Sequence, residues 1–537
     1  MSRSRKAVLV GLLVVPIVAG GFVIQERAAV AGSRLFDQVF TIVSERFVDS
    51  VDAGTLYEKA ARGLVAELKD PYAELYTPKQ REAFNTTTGG FYAGIGMSIE
   101  PQDGFIVVVK VFPNTPAAEA NILPGDRIIG VDSASTRGWR TDQVSGKLKG
   151  PPGTRVIAKF SRPGAQEFSV NFTRRVIRIP AVPYAIMLEN KTAYIPVLGF
   201  NETATDEVAL ALQRLMAEGA KSVVLDLRAN SGGFLEQAIT MSNIFLGKGK
   251  EIVTVRGRGV PAETHLTQTA ALAPGVPLIV LTDGYTASAS EIVAGALQDH
   301  DRALIVGTTS YGKGLVQGMY PLDGGWAIKL TTARWFTPSG RSIQKERRLT
   351  DDGQFVEVHP DSLESDSARK ARPKFKSDAG RVIYGGGAIT PDVYVPYDTL
   401  ASAEQKLARS LVARNQDTYL AIAELSYELK SKVKPGFTVT QEMRDDLFRR
   451  LQKRGVPVER TDFDAGVRWL DRQLDGRIAT LAFGDSTQKR REAPEDVQLR
   501  TALELLKKGA TQKELLALAS SATMAPAAAA RKPDKPR

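Results

Sequence analysis

The sequence predicts a multidomain chain centred on an α/β layered core, with a small β-rich domain ahead of it and helical regions at both ends. The first observation is alternation. From Tyr194 to about Pro396 the short apolar runs Val223–Leu227, Leu278–Leu281 and Ala303–Val306 read as buried strands, and the amphipathic runs Glu207–Met216 and Glu291–Leu297 between them read as helices. The second is a series of short β-like runs closely punctuated by Pro and Gly. The third is apolar spacing of three and four residues near the start, joined by a long charged helical stretch near the end. A chain of 537 residues has room for three or four such domains.

Residues 1–31 come first. Arg3, Arg5 and Lys6 precede an uncharged apolar run from Ala7 to Ile24, and Ala29-Val30-Ala31 supplies a small-x-small site. This is the pattern of a signal peptide, with a run near the length that spans a bilayer, so it reads as a signal or a membrane anchor over residues 7–24. Basic residues ahead of the run place the remainder of the chain outside the cytoplasm, in a periplasmic or other extracytoplasmic space, joined to the inner membrane through this segment if it is not cleaved. Residues 32–90 follow as a helical segment. Leu35, Val39, Ile42 and Val43 share one helical face, Leu56, Ala60, Leu64 and Leu68 another, and Asp70-Pro71 ends the second helix.

The β-rich domain occupies residues 91–175. Its expected strands are Gly96–Ile99, Phe105–Val111, Arg127–Val131, Arg155–Phe160 and Glu167–Phe172, with one helix near Thr141–Leu148. The α/β core spans 176–400 and is interrupted by a charged insert, 345–378, that reads as an exposed loop or small excursion. Residues 401–520 form a charged helical region suited to oligomerisation or to docking a partner, and the Ala-, Pro- and Lys-rich residues 521–537 form a disordered tail.

Composition removes several chemistries. There is no cysteine, which excludes thiol nucleophiles, disulfides and Cys-based metal knuckles. The three histidines, His265, His300 and His359, are too few for a His-rich metal site, and neither a metal nor another cofactor is expected. The net charge of +11 is spread along the chain without a basic stripe interleaved with aromatics, so it reads as a solvated surface rather than a nucleic-acid site.

Three segments carry candidate chemistry. Gly284–Glu291 follows a buried strand and opens an apolar helix. A hydroxyl placed there lies beside unpaired first-turn N–H groups able to hold an oxyanion, although Thr286, Ser288 and Ser290 also suit plain helix caps. Gly312-Lys313-Gly314-Leu315-Val316-Gln317 supplies a lysine that burial would deprotonate into a base, with Gln317 on the same face of an extended segment. Asn230-Ser231-Gly232-Gly233 ends a strand with a glycine pair that suits either a close backbone donor or a simple tight turn.

Two overlapping motifs are set aside. Gly307–Lys313 matches GxxxxGK, but Gly314 stands where a P-loop has Ser or Thr, and a strand-like run replaces its helix. Ser310-Tyr311-Gly312-Lys313 is an SxxK without the companion tripeptides and with glycines that oppose a helix.

Taken in order, these segments resemble the carboxy-terminal processing (tail-specific) serine protease family. The resemblance rests on Asp70-Pro71-Tyr72, Phe91–Gly96, Asp226-Leu227-Arg228 with Gly232-Gly233, Ala287–Glu291, Gly312–Gln317, Thr337–Gln344 and Pro391-Asp392. It implies an α/β protease core and a PDZ domain over 91–175. It further implies Ser288 as nucleophile, Lys313 as general base, Gln317 as the partner that orients Lys313, and oxyanion donors from Ala289 and from Gly232 or Gly233. The implied activity is endoproteolysis of exported proteins at or near unstructured C-terminal tails, with the PDZ domain engaging the tail and gating activity. In that domain a peptide would add a strand beside Met97–Ile99 while N–H groups around Gly94, Ile95 and Gly96 hold its carboxylate. An activating partner protein and a homo-oligomer are further expectations. Thr286 departs from the family's usual Ser, and the 345–378 insert separates motifs that usually lie close. The alternatives are a catalytically silent PDZ-bearing scaffold on a protease-like fold and, more remotely, a P-loop nucleotide hydrolase.

Overall fold

The computed structural model describes residues 31–522 apart from 103, 163–164, 260, 351–354 and 358–371. The expected signal or anchor, all but its last residue, lies outside the described residues, as does the expected tail beyond residue 522. The last helix, Gln512–Ala522, runs two residues into the segment expected to be disordered. The chain divides into two compact units, one comprising residues up to 78 with 317–331, the other 79–316 with 332 onward.

In the first unit, α1 runs to residue 46 and α2 covers Ala53–Ala66. Asp52 caps α2 by accepting the Thr55 N–H at 2.9 Å. Lys69, with φ 51°, turns the chain just before Asp70-Pro71. Strand β1 (Glu74–Tyr76) pairs antiparallel with residues 327–329. Phe40 stacks on Tyr57 with centroids 4.1 Å apart, and the Arg62 guanidinium lies 5.6 Å from the Trp326 ring.

In the second unit, α3 (Pro78–Gly89) leads into the β-rich domain. Its elements are β2 (Phe91–Gly94), β3 (Met97–Gln102), β4 (Phe105–Val111), α4 (Pro116–Glu119), β5 (Arg127–Val131), β6 (Ala134–Ser135), α5 (Thr141–Leu148), β7 (Arg155–Ser161), β8 (Phe168–Thr173) and β9 (Arg175–Arg178). The sheet order is β3-β4-β5-β7-β8 with β6 on β5, so β3 is an edge strand. Alternation along β7 buries Val156, Ala158 and Phe160 and turns the intervening residues out. These side chains close a core with Ile95, Ile106, Val108, Ile128, Val144 and Phe172. The pairing of β2 with β9 joins the two ends of the domain.

The α/β core begins with β10 (Ile186–Leu188), β11 (Thr192–Pro196), α6 (Ala204–Ala217), β12 (Ser222–Asp226) and α7 (Leu235–Phe245). It continues through β13 (Glu251–Gly257), β14 (Glu263–Leu266), β15 (Leu278–Thr282), α8 (Ala289–Asp299) and β16 (Leu304–Gly307). Strands β11, β12, β15 and β16 are parallel, extended on one edge by Val393–Tyr394 and on the other by antiparallel β10. Buried on both faces, these strands are continuous apolar runs rather than alternating ones. Ile195, Val223, Leu225, Val280 and Ile305 face α6, α7 and α8. Tyr194, Val224, Ile279, Leu281, Leu304 and Val306 face the other way, where Leu499, Ala502, Leu506, Leu515 and Leu516 cover them.

That second cover divides the expected helical region 401–520 between two cores. Leu407, Leu411, Leu425, Leu447, Leu451, Phe463, Leu470, Leu474 and Ile478 close a core of their own. The helices Val497–Lys508 and Gln512–Ala522 instead complete the central layer structure. The described ends of the charged insert are also more ordered than an exposed loop. Arg347–Leu349 pairs with Phe355–Glu357, Lys374–Lys376 pairs with Val382–Tyr384, and Lys345 is buried.

Candidate active site

The ends of β12 and β15 are bound to each other before either reaches a candidate residue. The Asp283 carboxylate accepts the N–H groups of Tyr285 and Thr286 at 2.9 Å and that of Ala229 at 3.0 Å. The Thr286 hydroxyl donates to the Leu227 carbonyl at 2.9 Å, and the Ser290 hydroxyl donates to the Asn230 carbonyl at 3.0 Å. Two of the three hydroxyls in this segment are therefore buried and committed to main-chain carbonyls. Ser288, between them, is half-buried and has φ 56° and ψ −115°, a left-handed conformation rare for a residue with a side chain. It sits at the strand-to-helix turn where α8 begins at Ala289.

Gly232 packs against this turn. A Cβ on it would stand 2.9 Å from Ser288 Cβ, 2.9 Å from the Ala289 nitrogen and 2.8 Å from the Ala287 carbonyl oxygen, so only glycine fits. Its own N–H donates to Asn230 Oδ1 at 2.9 Å. Asn230 is fully buried, and its amide donates to the Val197 carbonyl at 2.7 Å. Gly233 forms an isolated bridge with Phe200.

Glu291, in the first turn of α8, is fully buried and joins the serine turn to the lysine turn. Its Oε2 accepts the Ser288 N–H at 2.8 Å and the Lys313 N–H at 2.9 Å. Its Oε1 accepts the Gly312 N–H at 2.7 Å and the Ser310 hydroxyl at 2.5 Å. Burial pushes the Glu291 carboxyl above the ordinary carboxylate range, and these four donors pull it back part of the way. One oxygen thus fixes the main chain at 288 and 313 side by side. The far side of the lysine turn is held by Trp335, which donates from Nε1 to the Lys313 carbonyl at 3.1 Å and from its N–H to the Gly314 carbonyl at 3.0 Å. Arg347, from the charged insert, donates to the carbonyls of Tyr311 at 2.7 Å and Gly312 at 3.2 Å.

The structure therefore brings together Ser288, Ala289, Gly232 and the main chain of Lys313. Gln317 belongs to the first unit, where its side chain donates to the Tyr72 carbonyl at 3.0 Å. Glu291 and Asn230 are the residues that sequence reasoning passed over. Ser288-Ala289-Ser290-Glu291 is an S-x-x-E pattern at a helix start, the signal from which Glu291 could have been read as a reciprocal cap. Nothing comparable marked Asn230.

Just below this site, Asp226 and Arg228 anchor the C-terminal helices. The Arg228 guanidinium donates to Asp226 at 2.6 Å and to Asp496, the N-cap of helix Val497–Lys508, at 2.8 Å. Burial opposes ionisation of both carboxyls, but the guanidinium holds each below the ordinary carboxylate range.

In the β-rich domain, Gly94, Ile95 and Gly96 form the loop that enters the edge strand β3. Gly96 has φ 91°, and its carbonyl accepts the Phe112 N–H at 3.0 Å and the Thr115 hydroxyl at 3.2 Å. Ile95 and Met97 turn into the core, and Ile99 packs against it.

The chain is similar to known proteins over most of its described length. Residues 191–357 match the profile of Peptidase family S41, residues 87–158 that of the PDZ domain, and residues 25–79 that of the activating protease CtpB N-terminal domain. The carboxy-terminal processing protease CtpA of Bacillus subtilis is 32% identical over 63% of this chain and 73% of its own length. The carboxy-terminal-processing protease of Bartonella bacilliformis is 36% identical over 58% of this chain and 72% of its own. Among solved structures, the photosystem II D1 C-terminal processing protease is 27% identical, with a TM-score of 0.34, over 63% of this chain and 93% of that one. With an S41 protease core, a PDZ domain and helical regions on either side, the chain belongs to the carboxy-terminal processing protease family of serine peptidases.

Proposed function

We propose that this protein is an endopeptidase in which Ser288 attacks the scissile carbonyl and Lys313 serves as general base. The observation that carries this reading is the Glu291 carboxylate, which accepts main-chain N–H groups from both residues and so holds the two turns together. Lys313, as a neutral amine, takes the Ser288 proton during attack and returns it to the leaving amine, and water then hydrolyses the acyl-enzyme. Gln317 orients the lysine. The Ala289 N–H, at the start of α8, is one oxyanion donor. Gly233 is the better second donor, because the Gly232 N–H is already given to Asn230.

The PDZ domain selects substrates by their C-termini. An extended tail adds to the open edge of β3, and the N–H groups of the Gly94–Met97 loop receive its carboxylate. Engagement of the tail, or of an activating partner, gates the dyad. The basic and apolar residues before Ala31 export the chain to the periplasm or another extracytoplasmic space and anchor it where they are not cleaved. Leu35, Val39 and Ile42 form an exposed apolar stripe on α1 that fits a homo-oligomer contact.

The test is mass spectrometry of products from an unstructured protein such as casein. Wild-type enzyme should generate cleavage products, and Ser288→Ala and Lys313→Ala should generate none. Equal products from either folded variant would reject the assignment. EDTA should leave the rate unchanged.

A further inference from the structure

The charged insert sends a side chain into the lysine turn. Residues 344–347 run beside that turn: the Gly314 N–H donates to Gln344 Oε1 at 2.8 Å, and the Lys345 N–H donates to the Gly312 carbonyl at 3.1 Å. Arg347 follows on the strand Arg347–Leu349, directly opposite Glu357 on the partner strand. Its guanidinium donates to the Tyr311 carbonyl at 2.7 Å, to the Gly312 carbonyl at 3.2 Å and to Glu357 Oε1 at 3.1 Å. It also covers the Tyr311 ring at 4.0 Å from the centroid. The side chain is only 6% exposed. Burying a cation is costly unless its charge is met, and here Glu357 and the two carbonyls meet it.

The contacts of Arg347 and Glu291 fall on the same two peptide groups. The carbonyl of Tyr311 and the N–H of Gly312 belong to one planar unit, and the carbonyl of Gly312 and the N–H of Lys313 to the next. Glu291 accepts both N–H groups, and Arg347 donates to both carbonyls. Each unit is thus gripped at its two ends by opposite charges, through hydrogen bonds roughly twice as strong as neutral ones. The residue joining the two units is Gly312, at φ 82°, where the backbone is freest to turn. Released from this grip, a turn built on glycine can rotate either unit, and Lys313, which begins where the second unit ends, is re-aimed with it.

Resting on the reading of Ser288 and Lys313 as the dyad, we propose that Arg347 is a positioning residue for Lys313: its guanidinium, aimed by Glu357, clamps the carbonyl side of the lysine turn while Glu291 clamps the N–H side. The insert is therefore part of the catalytic framework. Without the guanidinium the turn keeps its place in the fold but no longer presents the lysine at a fixed position, so turnover falls while substrate binding stays.

The experiment measures steady-state cleavage of a fluorogenic peptide by the full chain as wild type, Ser288→Ala, Arg347→Ala and Arg347→Lys. Arg347→Ala should lose about 10²-fold in kcat, the cost of a misplacement of about 1 Å between reacting groups, with KM nearly unchanged. Guanidine hydrochloride far below denaturing concentration should raise kcat of that variant at least about tenfold, since the free cation carries the same planar donors, and equal sodium chloride should not. Arg347→Lys keeps the charge but not the fork, and should fall about five- to tenfold; it carries the test if the alanine variant does not fold. Ser288-dependent cleavage with kcat within about twofold of wild type in either Arg347 variant overturns this inference and leaves the dyad reading standing. So does a loss in folded Arg347→Ala that guanidinium does not relieve. Cleavage that persists in Ser288→Ala overturns the dyad reading and this one with it.

Discussion

Replacing Glu291 separates a positioning role from a merely structural one, because the four contacts of its carboxylate are all donors and are not all equivalent. Three are backbone N–H groups, which cannot reverse; the fourth is the Ser310 hydroxyl, which can. Glutamine has one acceptor oxygen. Its best placement keeps that oxygen on the Ser288 and Lys313 side and turns its NH2 toward Ser310, stranding only the Gly312 N–H. The cost is then one unsatisfied buried donor, about 1–3 kcal/mol. Alanine strands the N–H groups of Ser288, Gly312 and Lys313 together, and at the low end of that range for each the cost is about 3 kcal/mol or more.

The two variants should differ still more in rate. Glu291→Gln keeps both turns on one oxygen, and its kcat should fall by less than about tenfold. Glu291→Ala releases them, and a displacement of about 1 Å between reacting groups costs on the order of 10²-fold. Because the substrate's binding surfaces are untouched, the loss should fall on kcat and leave KM nearly unchanged. The assays are urea unfolding for stability and steady-state cleavage of a fluorogenic peptide for kcat and KM. Glu291→Ala with lowered stability but kcat within about twofold of wild type would refute the argument that this carboxylate positions the dyad.

Gly232→Ala should abolish cleavage while lowering stability by no more than about 1–3 kcal/mol, the usual range for overpacking; its methyl group would press on Ser288 and on the Ala289 N–H, and normal kcat in this variant would show that the turn can yield without harm. Asp226 and Asp496 ionise more readily in the folded protein than in the unfolded chain. The stability they contribute is therefore complete above the ordinary carboxylate pKa of about 4 and is lost as pH falls through their depressed folded values. Urea midpoints should fall steeply below about pH 4, and Asp496→Asn, destabilised at neutral pH by loss of its pair with Arg228, should show a shallower fall. An equal slope in that variant would assign the acid sensitivity elsewhere.

Much of this was legible in the residues themselves. The strands Phe105–Val111 and Arg127–Val131 and the helix Thr141–Leu148 are bounded in the sequence by Pro, Gly and Asp and occur where the pattern places them. The buried strands of the core were visible because a two-sided sheet needs unbroken apolar runs. The pairing of β2 with β9 was not, since it joins residues more than eighty positions apart and leaves no local periodicity. Nor was the division of the C-terminal helices between two cores. Leu499, Ala502 and Leu506 recur at ordinary helical spacing, and spacing says which face is apolar but not which sheet it meets. The hydroxyls of Thr286, Ser288 and Ser290 were equivalent in the sequence. They differ in the structure because two of them reach backbone carbonyls across the turn.

The late arrival of the second cover on the central sheet has a consequence for biosynthesis. Val224, Ile279 and Leu281 emerge from the ribosome long before Leu499, Leu506 and Leu515, which shield them. At about 5–20 residues per second, the gap is a matter of some ten seconds or more during which one side of the sheet stays wet and sticky. A chain cut short before Val497 would keep that side bare permanently, and since those helices also hold Asp496 against Arg228, just below the serine turn, such a fragment would lose that anchor as well.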